Sequence, residues 1–168
     1  MEKSDVDFGT YHHSTPDESS EIRLSAEQSV TKLLRPLYPS GARLRILDAG
    51  CGLGFLTYVA AKCFPKACIT DVDLFRHSSM SAMSIDKAAN NMRFLGIVSR
   101  TSFLKHALTK PMESDGQYDL VVPILCFTTW EKRDSRAMAR FSTCLDPKSF
   151  SAGFRTSCRG KLRADRFR

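Results

Sequence analysis

Residues 45–75, RILDAGCGLGFLTYVAAKCFPKACITDVDLF, constrain the fold more than any other part of the chain. They set an apolar strand, a glycine-rich turn, a helix, a second strand and an acid in that order. Leu44, Ile46 and Leu47 form an apolar run suited to a parallel strand covered on both faces. The run stops at Asp48, and Gly50, Gly52 and Gly54 follow at alternate positions, where glycine lets the backbone turn sharply and lets a ligand lie against it. Over residues 55–64 the apolar positions 55, 56, 59, 60 and 63 share one helical face, and Pro65 ends the pattern. The turn thus leads into a helix N-terminus, whose free N–H groups favour an anionic group. A second strand over 67–72 runs into Asp73, 19 residues beyond Gly54, close to the spacing at which an acid accepts hydrogen bonds from ribose hydroxyls. Asp71, two residues earlier, is the alternative acid for that role.

The glycine spacing narrows the ligand. The dinucleotide fingerprint G-x-G-x-x-G needs glycine at 55, where Phe55 stands, and Phe55-Leu56-Thr57 offers no P-loop lysine. Asp48 followed by Gly50, Gly52 and Gly54 resembles motif I of the class I S-adenosylmethionine-dependent methyltransferases. The chemistry of S-adenosylmethionine suits these residues. Its methionine carboxylate suits loop N–H groups, its ammonium an acid such as Asp48, and its ribose Asp73. The plain alternative is a glycine turn between strand and helix with incidental acids. The resemblance implies cofactor contacts at Asp48, Gly50, Cys51, Gly52, Gly54, Asp73, Leu74, Ala107 and Pro123, with no metal and no nameable catalytic residue.

A length of 168 residues fits one domain with a sizeable core. Residues 1–10 are polar and acidic, unlike a signal peptide, and the longest apolar run, 120–127, is too short to span a bilayer, so a soluble cytoplasmic protein without membrane partners is expected. The cysteines at 51, 63, 68, 126, 144 and 158 form no C-x-x-C pair, so buried free thiols are expected rather than disulfides or zinc ligands. Cys51 is read as packing inside the loop, not as a nucleophile. The net charge of +7 is confined to the end of the chain, since residues 131–168 hold 11 Lys or Arg against 4 Asp or Glu. Such a basic tail can bind a phosphate backbone, although a solvated end is the expectation, and nucleic acid is a minor candidate partner.

In chain order, residues 1–14 read as a flexible lead-in containing Tyr11, His12 and His13. These three are expected to be exposed, with a place facing the reacting methyl as the alternative. Thr15, Pro16 and Glu18 form a capping box for a helix to about Leu34, with Ile22, Ala26, Val30, Leu33 and Leu34 on its buried face. A third helix over 81–95 places Ile85, Ala88, Ala89, Met92 and Leu95 at helical spacing, with Gly96 as its stop. A short strand follows over 101–104. The resemblance implies an adenine-binding acid just after it, at position 107, and Ala107 stands there instead. His106 is read as a surface residue. A fourth strand over 119–125 carries Pro123 near the reacting centre, and its sequence lacks the Asn-Pro-Pro-Tyr type of motif associated with methylation of base amines.

Beyond Trp130 the pattern weakens. Asp134 caps a possible helix to about Leu145, but residues 151–168 hold neither alternation nor an apolar run. The expectation is a doubly wound Rossmann-like α/β domain over 15–147, a parallel sheet of order 3-2-1-4 with its C-terminal strands incomplete, and a basic tail over 148–168. A chain truncated or frameshifted near residue 149 is the favoured reading of that ending, and a natural short form the other. The resemblance implies methyl transfer to a small-molecule or protein acceptor. A non-catalytic cofactor-binding module, associated with RNA through the tail, is the competing reading. Oligomeric state is not legible in the sequence.

Overall fold

The computed structural model describes residues 6–75, 83–108, 110, 112 and 118–122. Pro123, the helix expected after Asp134 and the tail over 148–168 lie outside these residues. The described elements are α1 (Pro16–Leu34), β1 (Arg45–Ala49), α2 (Phe55–Cys63), β2 (Cys68–Asp73), α3 (Ile85–Phe94), a 3-10 turn (Val98–Arg100), β3 (Thr101–Lys105) and β4 (Leu120–Val122).

Helix α1 begins as its capping box dictates. Thr15 Oγ1 accepts from the Glu18 N–H at 3.2 Å, and Glu18 Oε2 accepts from the Thr15 N–H at 2.7 Å. Its buried face differs from the expected one. Ser19, Val30 and Leu34 are buried, whereas Ile22 and Leu33 are 51% and 69% exposed. At 3.6 residues per turn, Ser19, Val30 and Leu34 span an arc of roughly 60°, and Leu33 and Ile22 lie about 40° and 60° beyond it. The apolar stripe is therefore wider than the surface α2 offers.

The four strands are parallel and lie in the order β3-β2-β1-β4. Helix α2 crosses from β1 to β2 and α3 from β2 to β3, so the chain winds outward from β1 and returns to its other side at β4. The order reverses between β1 and β4, the kind of switch point at which open α/β sheets bind ligands. Register sets Ile46 opposite Ile69 and Asp48 opposite Asp71 on one face of the sheet. Below the aspartates, Ile46 and Ile69 pack with Val59, Phe64, Val30 and Leu34 in the main core. On the other face Leu47, Ala49 and Val72 pack with Leu108, Met112, Tyr118 and Val121.

The start of β4 is tied to β1 by Asp119, whose Oδ2 accepts from the Arg45 N–H at 2.7 Å while its carbonyl accepts from the Tyr38 hydroxyl at 2.8 Å. Helix α3 starts at Ile85 with Ser84 as its cap, and Gly96, at φ +70°, follows its end as expected. Cys51 and Cys63 are buried free thiols. Cys68, half-buried at the start of β2, departs from the expectation of free thiols in being disulfide-bonded. Among the described residues, no helix is long and apolar enough to cross a membrane.

Candidate cofactor site

The turn after β1 is shaped by its glycines. Gly50, Gly52 and Gly54 have φ of +84°, +55° and +87°, a region that residues with a Cβ rarely enter. Gly54 is also a point of close approach, because a Cβ there would stand 2.6 Å from Met92 Cε of α3. Four of the loop N–H groups are already engaged, while the first turn of α2, where free N–H groups are expected, has no side-chain cap. Gly50 and Cys51 donate to the Val72 carbonyl at 2.7 and 3.3 Å, Gly54 to the Cys51 carbonyl at 2.8 Å, and Gly52 to Asp73 Oδ2 at 3.0 Å. The turn folds back over the end of β2 and spends these donors there.

Asp73 therefore stands beside the loop, half-buried at the end of β2, with Oδ1 accepting from the Phe75 N–H at 2.7 Å. Its next neighbour, Leu74, is 47% exposed. Ala107 lies just past β3, and the His106 N–H before it donates to the Asp73 carbonyl at 3.1 Å. The structure thus brings Asp73, Leu74, Ala107 and the glycine loop to one end of the sheet.

Asp48 lies on the underside of this site, 2% exposed, and Asp71 faces it from β2, fully buried. Asp71, the alternative acid for the ribose, is thus the more deeply buried of the two acids that β2 places near the loop, Asp73 being half-buried. The Thr57 hydroxyl of α2 stands 2.8 Å from both Asp48 Oδ2 and Asp71 Oδ1. The remaining oxygens, Asp48 Oδ1 and Asp71 Oδ2, are buried without a hydrogen-bond partner. Burial pushes the Asp48 carboxyl up to about 7, against the pull of the Thr57 hydroxyl and backbone N–H, with the Asp73 charge adding to the rise. Burial, and then the charge of Asp48, push Asp71 well above the usual carboxylate range. The sequence reading missed Thr57, which sits one place off the apolar face of α2, and it gave the pairing of Asp71 with Asp48 no weight.

Asn91, also missed, is the other buried polar group of the site. Its amide donates to the Leu53 carbonyl in the loop and to the Asp7 carbonyl, and its Oδ1 accepts from the Asp7 N–H. The lead-in segment is held here further by a Lys87–Asp7 ion pair at 2.7 Å and by Phe8, edge-on to Phe55 at 5.5 Å. The Tyr11 ring lies under the Arg23 guanidinium, and His12 and His13 are exposed. His106 is half-buried in the turn after β3, with Nε2 3.3 Å from the Lys110 carbonyl. No group of three or more potential metal ligands is gathered among the described residues.

A family model described as a methyltransferase domain matches residues 46–148. A malonyl-[acyl-carrier protein] O-methyltransferase of Bacillus cereus is 32% identical over 78 residues, covering 46% of this chain and 29% of that protein. The chain thus spans under a third of the length of the curated relatives it matches. Among solved structures, coclaurine N-methyltransferase bound to N-methylheliamine and SAH superposes with a TM-score of 0.56 at 18% identity, covering 86% of this chain and 38% of that one. Magnesium protoporphyrin IX methyltransferase of Synechocystis with bound SAM superposes at 0.52 with 20% identity, covering 79% and 59%.

Proposed function

Because this chain belongs to the methyltransferase-domain family of class I S-adenosylmethionine-dependent enzymes, we propose that it binds that cofactor at the carboxyl ends of β1 and β2 and transfers its methyl group to a small-molecule or protein-borne acceptor. One observation carries the reading: Gly52 N–H on Asp73 Oδ2 closes the glycine loop onto the acid that ends β2. That contact sets the Asp73 carboxylate against the glycine loop at the end of β2.

The residues present fit the cofactor. Asp73 keeps unused lone pairs on both oxygens for ribose hydroxyls. Leu74 offers an exposed apolar surface beside them for the adenine. Asp48 Oδ1, buried and unpartnered, supplies the negative end suited to the ammonium. Gly50 and Gly52 hold the positive φ values that the turn requires, and Cys51, buried in the loop, packs against Phe75 and Ala88. When bound, S-adenosylmethionine supplies a methyl group already activated by its positive sulfur. The protein's part is then to orient and to exclude water, without a dedicated base. A protein-borne acceptor is supported by the malonyl-[acyl-carrier protein] O-methyltransferase likeness.

Ala107 favours a second reading, a cofactor-binding module without turnover, since it offers no side-chain acceptor to the adenine amino group. Calorimetry separates the possibilities. S-adenosylmethionine and S-adenosylhomocysteine should bind and NAD should not, and tight NAD binding with no response to either adenosyl compound would overturn the assignment. Asp73→Ala should weaken binding about a hundredfold, since it removes the ribose acceptor and releases Gly52, while Asp73→Asn should recover part of the loss.

A further inference from the structure

The Thr57 hydroxyl carries one hydrogen and stands 2.8 Å from a carboxyl oxygen on either side. It can donate to only one of them. The other carboxyl must donate to Thr57 Oγ1, because two lone pairs facing each other at that distance repel. Asp48 and Asp71 are also opposite each other in adjacent strands, where like charges destabilise the pair. No water reaches them, at 2% and 0% exposure. The two acids and Thr57 therefore hold one shared proton and one negative charge.

We propose that Asp71 is a positioning residue for the cofactor, acting through Thr57: it keeps the shared proton and leaves Asp48 as the ionised carboxylate that meets the ammonium. The proton sits on Asp71 Oδ1 and is donated to Thr57 Oγ1, and the Thr57 hydrogen is donated to Asp48 Oδ2. This chain turns the Asp48 carboxylate and leaves its Oδ1 free of protein partners. The assignment of the proton follows from surroundings. Asp71 is closed off completely, at 0% exposure, while Asp48, at 2%, stands where β1 runs into the loop, and burial disfavours the charged form; the Thr57 backbone N–H adds a pull on Asp48 alone. The described groups acting on the pair are Asp73 from β2, the two acids themselves and neutral Thr57 from α2, and α3 brings uncharged Met92, Asn91 and Ala88 against the loop.

This role rests on the cofactor reading given above, and its test is built to tell the two apart. Carboxyl carbon NMR on the ligand-free full chain reads the proton directly. One aspartate carboxyl should still be protonated at pH 7, and its signal should vanish in Asp71→Asn. Calorimetry with S-adenosylhomocysteine at pH 7 reads the consequence. Asp71→Leu and Thr57→Val should each weaken binding about tenfold or more, and Asp71→Asn, whose amide can donate to Thr57 without a proton to lose, should restore most of the affinity that Asp71→Leu forfeits. Two ionised carboxyls at pH 7 in the wild type would overturn the shared proton, and so would Asp71→Asn binding as poorly as Asp71→Leu. If Asp71→Leu does not fold, Thr57→Val against Asp71→Asn makes the same comparison. Wild-type protein that binds no S-adenosylhomocysteine from pH 6 to 8.5 overturns the cofactor reading and this role with it, while the NMR titration still decides whether the proton is shared.

Discussion

Asn91 of α3 donates an amide hydrogen to the carbonyl of Leu53, 3.0 Å away in the glycine loop. The same amide reaches Asp7, so one buried side chain ties the loop, α3 and the lead-in segment together.

Asn91→Leu keeps the volume and deletes the three hydrogen bonds. It leaves the Leu53 carbonyl and the Asp7 backbone groups without this partner, so a loss of about 2 to 4 kcal/mol is expected in urea unfolding. A loss below about 1 kcal/mol would show that water takes over the contacts and that the clamp carries little.

Gly54→Ala meets two separate obstacles. The φ of +87° disfavours any Cβ by about 1 to 2 kcal/mol, and the new methyl would stand 2.6 Å from Met92 Cε. Met92 is a flexible side chain and can give way, so the contact adds less than the backbone. A total cost of about 2 to 3 kcal/mol is expected in thermal unfolding. In a Met92→Ala background the contact disappears and the backbone cost stays, so Gly54→Ala should then cost about 1 kcal/mol less.

Much of this arrangement was legible before any coordinates. The capping box at Thr15, the apolar runs of β1 and β2, the glycines at 50, 52 and 54 and the stop at Gly96 are local signals. Each follows from the conformation its own residues prefer, and the strand order follows from alternating strands and helices. What stayed hidden depends on register. Asp71 faces Asp48 only because β1 and β2 pair with those two residues opposite, and Thr57 meets both only because α2 crosses above that point. The buried arc of α1 stayed hidden for a similar reason. Its apolar stripe includes Ile22 and Leu33, and only the position of α2 decides which part is covered. Asn91 looks like an ordinary polar residue of an amphipathic helix until the lead-in segment is laid against it.

The acid pair gives stability a definite pH dependence. Asp71, held well above the usual carboxylate range by burial and by the charge of Asp48, keeps in the folded chain a proton that the unfolded chain releases above about pH 4. Its contribution is fully present below the unfolded value and is lost as pH rises through the folded value. Stability should therefore fall as pH rises above about pH 4, by up to ~1.36 kcal/mol per pH unit, until the folded-state value is passed. Other carboxylates have the opposite sign, such as Asp7, which its hydrogen bond to Lys87 holds below the usual range. The clean observable is the difference between wild type and Asp71→Asn in urea unfolding at each pH. That difference should turn against the wild type as pH rises, and a difference that does not change across the window would mean that both acids titrate near their ordinary values.

Ala107 offers a gain-of-affinity test. It follows β3 immediately after His106, whose N–H is bonded to the Asp73 carbonyl, so position 107 borders the end of the sheet where Asp73, the proposed ribose acceptor, stands. An acid there would accept a hydrogen bond from the adenine amino group, which the methyl of Ala107 cannot do. A hydrogen bond to a charged acceptor contributes about 1.5 to 3 kcal/mol, so Ala107→Asp should tighten S-adenosylhomocysteine binding by roughly ten- to a hundredfold. Ala107→Leu separates shape from hydrogen bonding, since it adds apolar bulk and no acceptor and should leave affinity equal or weaker. Sinefungin and S-adenosylmethionine share the adenine and should gain by the same factor, while adenine-free fragments such as methionine should gain nothing. Equal affinities for Ala107→Asp and the wild type, across all adenosyl ligands, would place the adenine away from position 107 and leave Leu74 as the surface it rests on.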